Sequence, residues 1–348
     1  MTKYLIHIGI CGFGNQLLGF KESCIIAKYT NRTIITPIFI PHGTISKHCK
    51  PFYEFSEIFN EKHFTKHIAS TNINSIKHIK IHNLYNIRSD KEQFLVDKYF
   101  NLQKKYYNLP TKKFTNIKKH YIKTLNDFEE LNRLNDEVLV LIGTFNNVIL
   151  SDCYKNGCLN PKCNLNKIFK EDYNFVTNKI IFNNYIKNLT NIHLKKLNIV
   201  DHNICVFHMR VLDLCNNKSY EKSYNNYNEH KVYNSICRYL TRIGKKHIIS
   251  NIFLIAPPQY KNISNINIFN TSIVKHIDYS NCSDDLFMLS MIELYISQHA
   301  EIFISSPTNT PDQKKTHTRS SFTMHIKNIR DLSNKYIYDK CISDIYKI

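Results

Sequence analysis

Two α/β domains, each built on a parallel sheet, are what this sequence predicts, and three observations carry the prediction. Short apolar runs of strand length alternate along the chain with stretches of helical periodicity. The 348 residues suffice for two packed domains. Hydrophobic residues make up 43% and aromatic ones 12%, enough for a sizeable core and too many for a disordered chain. A boundary near residue 200 separates an N-terminal domain, 1–200, from a C-terminal one, 201–348, with a cleft expected between them.

The elements follow in order. KYLIHIGI (3–10) reads as a buried strand and GFGNQ as the turn after it. Residues 16–29 place Leu17, Leu18, Cys24, Ile25 and Ile26 at helical spacing; Asn31-Arg32 ends that helix, and TIITPIFI (33–40) reads as the next strand. Residues 45–135, rich in lysine and asparagine, have mixed periodicity and define no element. EVLVLIGTF (137–145) is a strand, and a helical stretch runs from about 167 to 197. In the second half NICVFHMR (203–210), NIFLIAPP (251–258), EIFISS (301–306) and KYIYD (335–339) read as strands. Helices are expected over 229–244, over 284–300 and, with a serine-rich start, over 319–332.

The formal charge is +19. Such a surface favours an anionic partner: nucleic acid, a phosphorylated small molecule or an acidic glycan. A general enrichment in asparagine, lysine and isoleucine raises the charge equally well without any function. Against that background arginine is informative, with eight arginines beside thirty-nine lysines. An arginine retained here suits forked pairing to phosphate or carboxylate, which lysine cannot make.

Eleven cysteines are scattered from Cys11 to Cys341. With no leader-like segment and no apolar run long enough to span a bilayer, a cytoplasmic protein with mostly reduced thiols is expected. Cys153, Cys158 and Cys163 recur in a loop rich in glycine, proline and asparagine. They lack the close C-x-x-C pair and a fourth ligand, so loop thiols or one disulfide fit better than zinc, and no metal is expected.

Four stretches carry candidate chemistry. His208 and Arg210 stand two apart at the carboxyl end of a strand and so share a face; Asp213 follows in H-x-R-x-x-D. Ligands of open α/β sheets bind at that end, where an arginine can grip a diphosphate and Asp213 can hold the arginine or a sugar hydroxyl. A purely structural ion pair between Arg210 and Asp213 fits the same pattern. Ser320, Ser321, Phe322 and Thr323 open a helix, whose free N–H groups and hydroxyls suit an anion; simple capping by Ser320 or Ser321 is the plainer reading. Gly12, Phe13, Gly14 and Asn15 turn the chain between the first strand and its helix, where the glycines let backbone approach a bound group and Asn15 can donate to it. Asp284 and Asp285 precede another helix. A carboxylate there can accept from two donors on the guanine edge, or simply cap the helix.

Together these stretches resemble the GDP-fucose-dependent fucosyltransferases, most closely the protein O-fucosyltransferase-like group. GFGNQLLGFKESCIIAKYTNRTIITPIFIPH is similar to that family's N-terminal block, VFHMRVLD to its His-x-Arg block, and IELYISQHAEIFISS with SSFTMHIKNIRD to its C-terminal helix, strand and serine block. The blocks occur in family order and cover about a quarter of the chain.

The resemblance implies a GT-B-like pair of Rossmann-like domains, with the N-terminal one on the acceptor side and the C-terminal one binding the GDP-sugar. It implies Arg210 on the β-phosphate of GDP-fucose and His208 beside the ribose or base. Ser320, Ser321, Phe322 and Thr323 would hold the phosphates, Asn15 would lie near the reacting carbon, and Asp284 or Asp285 would read guanine. Relatives with arginine or glutamate in the glycine turn differ from this chain, which has Gly12 and no glutamate there.

The implied reaction moves fucose, with inversion, to a hydroxyl of a protein or glycan, with no cofactor beyond the donor substrate. No D-x-D triplet occurs, so Arg210 with its surrounding donors takes the place of a metal. A basic nucleic-acid-binding protein and a non-catalytic nucleotide or glycan binder are the rival readings; the dispersed basic residues and the lack of a known nucleic-acid motif weigh against the first.

Overall fold

The computed structural model describes residues 2–9, 12–41, 49–81, 83–86, 93–109, 118–119, 125–142, 154–155, 158–159, 165–199, 204–208, 251–255, 273–275, 277, 285–305, 321–333 and 336–339. The chain divides into two compact units, Met1–Tyr185 and Ile186–Ile348. The expected boundary near residue 200 falls beyond this division, at the far end of a helix that begins at Asn184. Among the described residues no helix is long and apolar enough to cross a membrane.

The first unit runs β1 (Tyr4–Ile8), α1 (Phe13–Tyr29), β2 (Thr33–Ile35), β3 (Ile38–Phe39), β4 (Tyr53–Glu54), α2 (Phe55–Ile58), α3 (Glu61–His67) and β5 (Ser70–Thr71). It continues with β6 (Leu84–Asn86), α4 (Gln93–Tyr107), β7 (Lys118–Lys119), α5 (Leu125–Arg133), β8 (Val138–Ile142), the short pair β9 (Tyr154–Lys155) and β10 (Cys158–Leu159), and α6 (Leu165–Lys179). Its main sheet has the order β5-β2-β1-β8-β6-β7, and every pairing in it is parallel. β1 and β8 lie in the middle and are buried on both faces, with His7 the one buried polar side chain among them. Their register runs from Tyr4↔Val138 to Ile8↔Ile142.

α1 is buried from Gln16 to Ala27, polar residues included. It touches β1 and β2 as well as α5 and α6, so no face is left for solvent. Lys21 is enclosed with its ammonium 5.2 Å from the centre of the Tyr173 ring, and burial lowers its pKa to about 7.

Two expected elements are broken. The strand read over 33–40 stops at Ile35, and after Thr36-Pro37 the residues Ile38–Phe39 pair antiparallel with Tyr53–Glu54 in a separate ribbon. Pro37 has no N–H to give a ladder. The helix read over 167–197 is two, α6 and α7 (Asn184–Lys196). Between them Phe182 forms an isolated bridge with Phe59, and the Asn60 and Asn183 N–H groups donate to Ile181 and Ile58. Burying Phe182 among Phe59 and its neighbours outweighs one more helical turn.

The second unit holds most of α7, then β11 (Ile204–His208), β12 (Asn251–Ile255), β13 (Ile273–Lys275), α8 (Leu286–His299), β14 (Ile302–Ser305), α9 (Ser321–Leu332) and β15 (Tyr336–Asp339). The helix expected over 229–244 lies outside the described residues. The sheet order is β13-β12-β11-β14-β15, again wholly parallel.

Each unit contains a buried arginine that gathers main-chain oxygens. Arg32 donates to the carbonyls of Tyr4, Leu134 and Asp136 at 3.3, 3.0 and 2.7 Å. Arg330 donates to those of Ser297, Ala300 and Glu301 at 3.2, 2.7 and 2.7 Å, closing the end of α8 where the chain enters β14. Burial lowers the pKa of Arg330 to about 10, against the opposing pull of Glu301 and Cys205, so it stays cationic at neutral pH.

Candidate active site

The second sheet has the strand order of a doubly wound fold. Numbered from β11, its strands lie 3-2-1-4-5, and the chain reverses direction between β11 and β14. The crevice beyond the carboxyl ends at such a reversal is where open α/β sheets bind ligands. Here those ends are His208 and Ser305, the last register pair of the two strands. Parallel crossovers return the chain through helices that start at this same edge, so α8 and α9 both begin here.

His208, 9% exposed, is the last residue of β11. Its ring lies 4.8 Å from that of half-buried Phe322 at an interplanar angle of 39°, and 6.5 Å from that of Phe303 at 25°. Residues 114 positions apart, from two of the four predicted stretches, thus meet at the switch point. Ser321, Phe322 and Thr323 form the first turn of α9, where main-chain N–H groups have no partner within the helix. That turn offers amide donors and the positive end of a helix dipole at the edge where His208 ends. Arg210, Asp213, Asp284 and Ser320 lie outside the described residues.

Asp285 is the N-cap of α8, its Oδ1 accepting from the N–H groups of Phe287 at 2.9 Å and Met288 at 3.3 Å. Capping is therefore a role this carboxylate performs in the folded chain. Replacing Asp285 by Ala should cost about 1 kcal/mol of stability, and Asp285→Asn should restore it, because asparagine caps as well as aspartate. Denaturant titration of the two variants checks this.

In the first unit the corresponding edge carries the glycine turn. Gly12 is the N-cap of α1 with φ −70° and ψ 165°, an extended backbone open to any residue. Phe13 and Gly14 begin the helix, and the Phe13 ring packs 5.0 Å from that of Phe39, in the aromatic core. Asn15 donates its N–H to Gly12 O at 2.9 Å and is half-buried; among the described residues its side-chain amide has no partner.

Three residues that sequence reasoning did not single out hold this turn. Gly9 ends the run after β1, and a Cβ there would lie 3.1 Å from Gln16 Cβ and Cγ and 3.2 Å from His7 Nε2. Gln103, buried on α4, donates from Nε2 to the Gly9 carbonyl and accepts from the Gly9 N–H at 3.1 Å. Gln16 does the same for Ile40, donating to its carbonyl at 2.7 Å and accepting from its N–H at 2.9 Å. Two side-chain amides thus complete main-chain pairings beyond the ends of β1 and β3. His7 beneath them has its Nδ1 3.2 Å from Ser23 Oγ, and burial drives its pKa down to about 3, so it is neutral.

Among the described residues no three His, Cys, Asp or Glu side chains gather as for a metal ion. Cys153 and Cys163 lie outside those residues, and Cys158 begins β10.

The chain has two α/β units with wholly parallel main sheets, the second wound in this strand order, and its fold is GT-B-like. In fold the chain is similar to the solved structures of two fucosyltransferases. It superposes on POFUT1 in its apo form with a TM-score of 0.64 and 12% identity, over 97% of both chains. On POFUT1 in complex with GDP-fucose the TM-score is 0.63 at 11% identity, over 98% of this chain and 97% of that one. For the NodZ alpha-1,6-fucosyltransferase soaked with GDP-fucose the TM-score is 0.51 at 15% identity, over 96% and 97%. No protein-family model matches the sequence, and no curated protein matches it. At these identities the shared property is the fold, carried nearly end to end.

Proposed function

We propose that this protein is a metal-independent, inverting fucosyltransferase that moves fucose from GDP-fucose to an acceptor hydroxyl on a protein or glycan. The observation that carries the reading is the contact between His208 and Phe322. It joins the His-x-Arg stretch to the Ser-Ser-Phe-Thr stretch at the switch point of a doubly wound sheet. The resemblance in fold to proteins crystallised with GDP-fucose agrees with it.

In this reading the second unit binds the donor. Arg210, two residues beyond His208, pairs with the β-phosphate as negative charge grows on it, and Asp213 orients Arg210 or takes a sugar hydroxyl. The first turn of α9, with Ser320 before it and Ser321, Phe322 and Thr323 within it, supplies amide and hydroxyl donors to the same phosphates. His208, held against Phe322 and Phe303, lines the nucleoside. Asp284 or Asp285 reads the guanine edge. The first unit takes the acceptor side, where Gly12, Gly14 and Asn15 of the glycine turn meet substrate, while Phe13 keeps its ring on Phe39 and offers main chain alone. The fucosyl cation-like centre is then attacked from the face opposite the departing diphosphate, which inverts it.

A thermal-shift panel tests this. A ligand of the folded state raises the melting temperature by mass action, by about 2.7 kcal/mol of stability at a hundredfold excess over Kd. GDP and GDP-fucose should raise it, while UDP-sugars should not. Stabilisation by generic DNA or RNA with no response to GDP would instead make the chain a nucleic-acid binder.

A further inference from the structure

Beyond the carboxyl ends of β2 and β5 the first unit forms a partly open cavity of about 210 Å³, lined by Thr36, Glu54, Glu61, Asn74, Lys77 and Tyr106 among others. Two of its carboxylates are held in place by hydroxyl groups. Thr36, only 7% exposed, donates to Glu61 Oε1 at 2.9 Å. The Tyr106 hydroxyl donates to Glu54 Oε1 at 3.2 Å. The Tyr106 ring is itself fixed by edge contacts with Phe52 and Tyr107, each at 5.0 Å between centroids. The Asn74 main-chain N–H is taken by Asn72 Oδ1 at 3.0 Å, and among the described residues its exposed side-chain amide and the exposed Lys77 ammonium have no partner within the chain.

Size and chemistry narrow the ligand. A cavity of about 150 Å³ accommodates benzene, so a space of about 210 Å³ can take a single sugar ring. A sugar presents hydroxyls that both donate and accept, around a ring with an apolar C–H face. Preset carboxylates accept from such hydroxyls, an amide and an ammonium donate to them, and a fixed phenol ring meets the C–H face. A lysine or arginine side chain from a basic peptide would also seek Glu54 and Glu61. The lining disfavours it: Lys77 stands in the cavity wall, and the neighbouring Glu57 is already paired to Lys50 at 2.6 Å.

We infer that this cavity is a monosaccharide-binding subsite; on the fucosyltransferase reading, it seats one sugar residue of a glycan acceptor. The test uses the full chain and isotope-edited NMR, with glucose, galactose, mannose, xylose, N-acetylglucosamine and tri-lysine as probes, and GDP titrated separately into the same samples. At least one saccharide should bind saturably in the millimolar range and shift the Asn74 side-chain amide. Asn74→Ala and Glu61→Gln should each weaken it at least tenfold, with GDP binding unchanged. The inference is overturned if no saccharide saturates, if tri-lysine alone shifts the Asn74 amide, or if both variants bind sugar as the parent does. GDP binding without any saccharide binding removes the subsite and leaves the donor reading intact. Saccharide binding without GDP binding does the reverse.

Discussion

Arg210→Ala should lower fucose transfer about 10²–10³-fold, a loss of about 3 kcal/mol of transition-state stabilisation, with the melting temperature unchanged. The argument is electrostatic. As the sugar leaves, charge builds on the β-phosphate, and a chain without D-x-D has to meet that charge with its own donors. Amides at the start of α9 contribute fixed partial charges, but a guanidinium contributes a whole one in forked geometry. Arg210→Lys should recover only part of the loss, because an ammonium keeps the charge and loses the fork. Assay of the purified variants against GDP-fucose, with the melting temperature of each measured in parallel, decides the matter. Full turnover in Arg210→Ala would remove the mechanism.

Arg330→Leu should have the opposite signature, unfolding the chain rather than silencing it. The side chain is fully buried and satisfies three main-chain oxygens at the junction of α8 and β14. Leucine fills only part of the volume and leaves those carbonyls without donors, at about 1–3 kcal/mol each before relaxation. A total of about 3–5 kcal/mol is expected, or a fall of about 10 °C in melting temperature. Arg330→Lys should recover little, since a single ammonium cannot span carbonyls from three different residues. Thermal unfolding monitored by circular dichroism measures both variants. The pair of experiments separates two uses of arginine in a lysine-rich chain, one for a ligand and one for its own backbone.

The strands were legible in the sequence where both faces are buried. β8, β11, β12 and β14 are continuous runs of β-branched and large apolar residues, and the structure keeps each of them, trimmed at the ends. Strands of two residues, such as β5 and β7, span a single period of the strand pattern and gave no signal. The break at Pro37 was visible in the missing N–H and was passed over because the apolar run continues beyond it. The break between α6 and α7 was not visible, since its cause is Phe59, more than a hundred residues upstream. The candidate site divides in the same way. His208 and Phe322 were readable from a strand end and a helix start. Gln103 was not, because a glutamine inside a helix carries no mark of the strand end it will complete. Gln16 lay within the quoted turn, yet its bond to Ile40 depends on where the second strand stops.

The clamp on Gly9 also bears on how the chain is made. Its other half is Gln103, 94 residues further on. While the ribosome has released only the opening strand and helix, the loop joining them has no partner for the Gly9 amide and carbonyl. A nascent chain must therefore emerge past α4 before that corner can set, and further, past β8, before the strand it follows is paired on both sides.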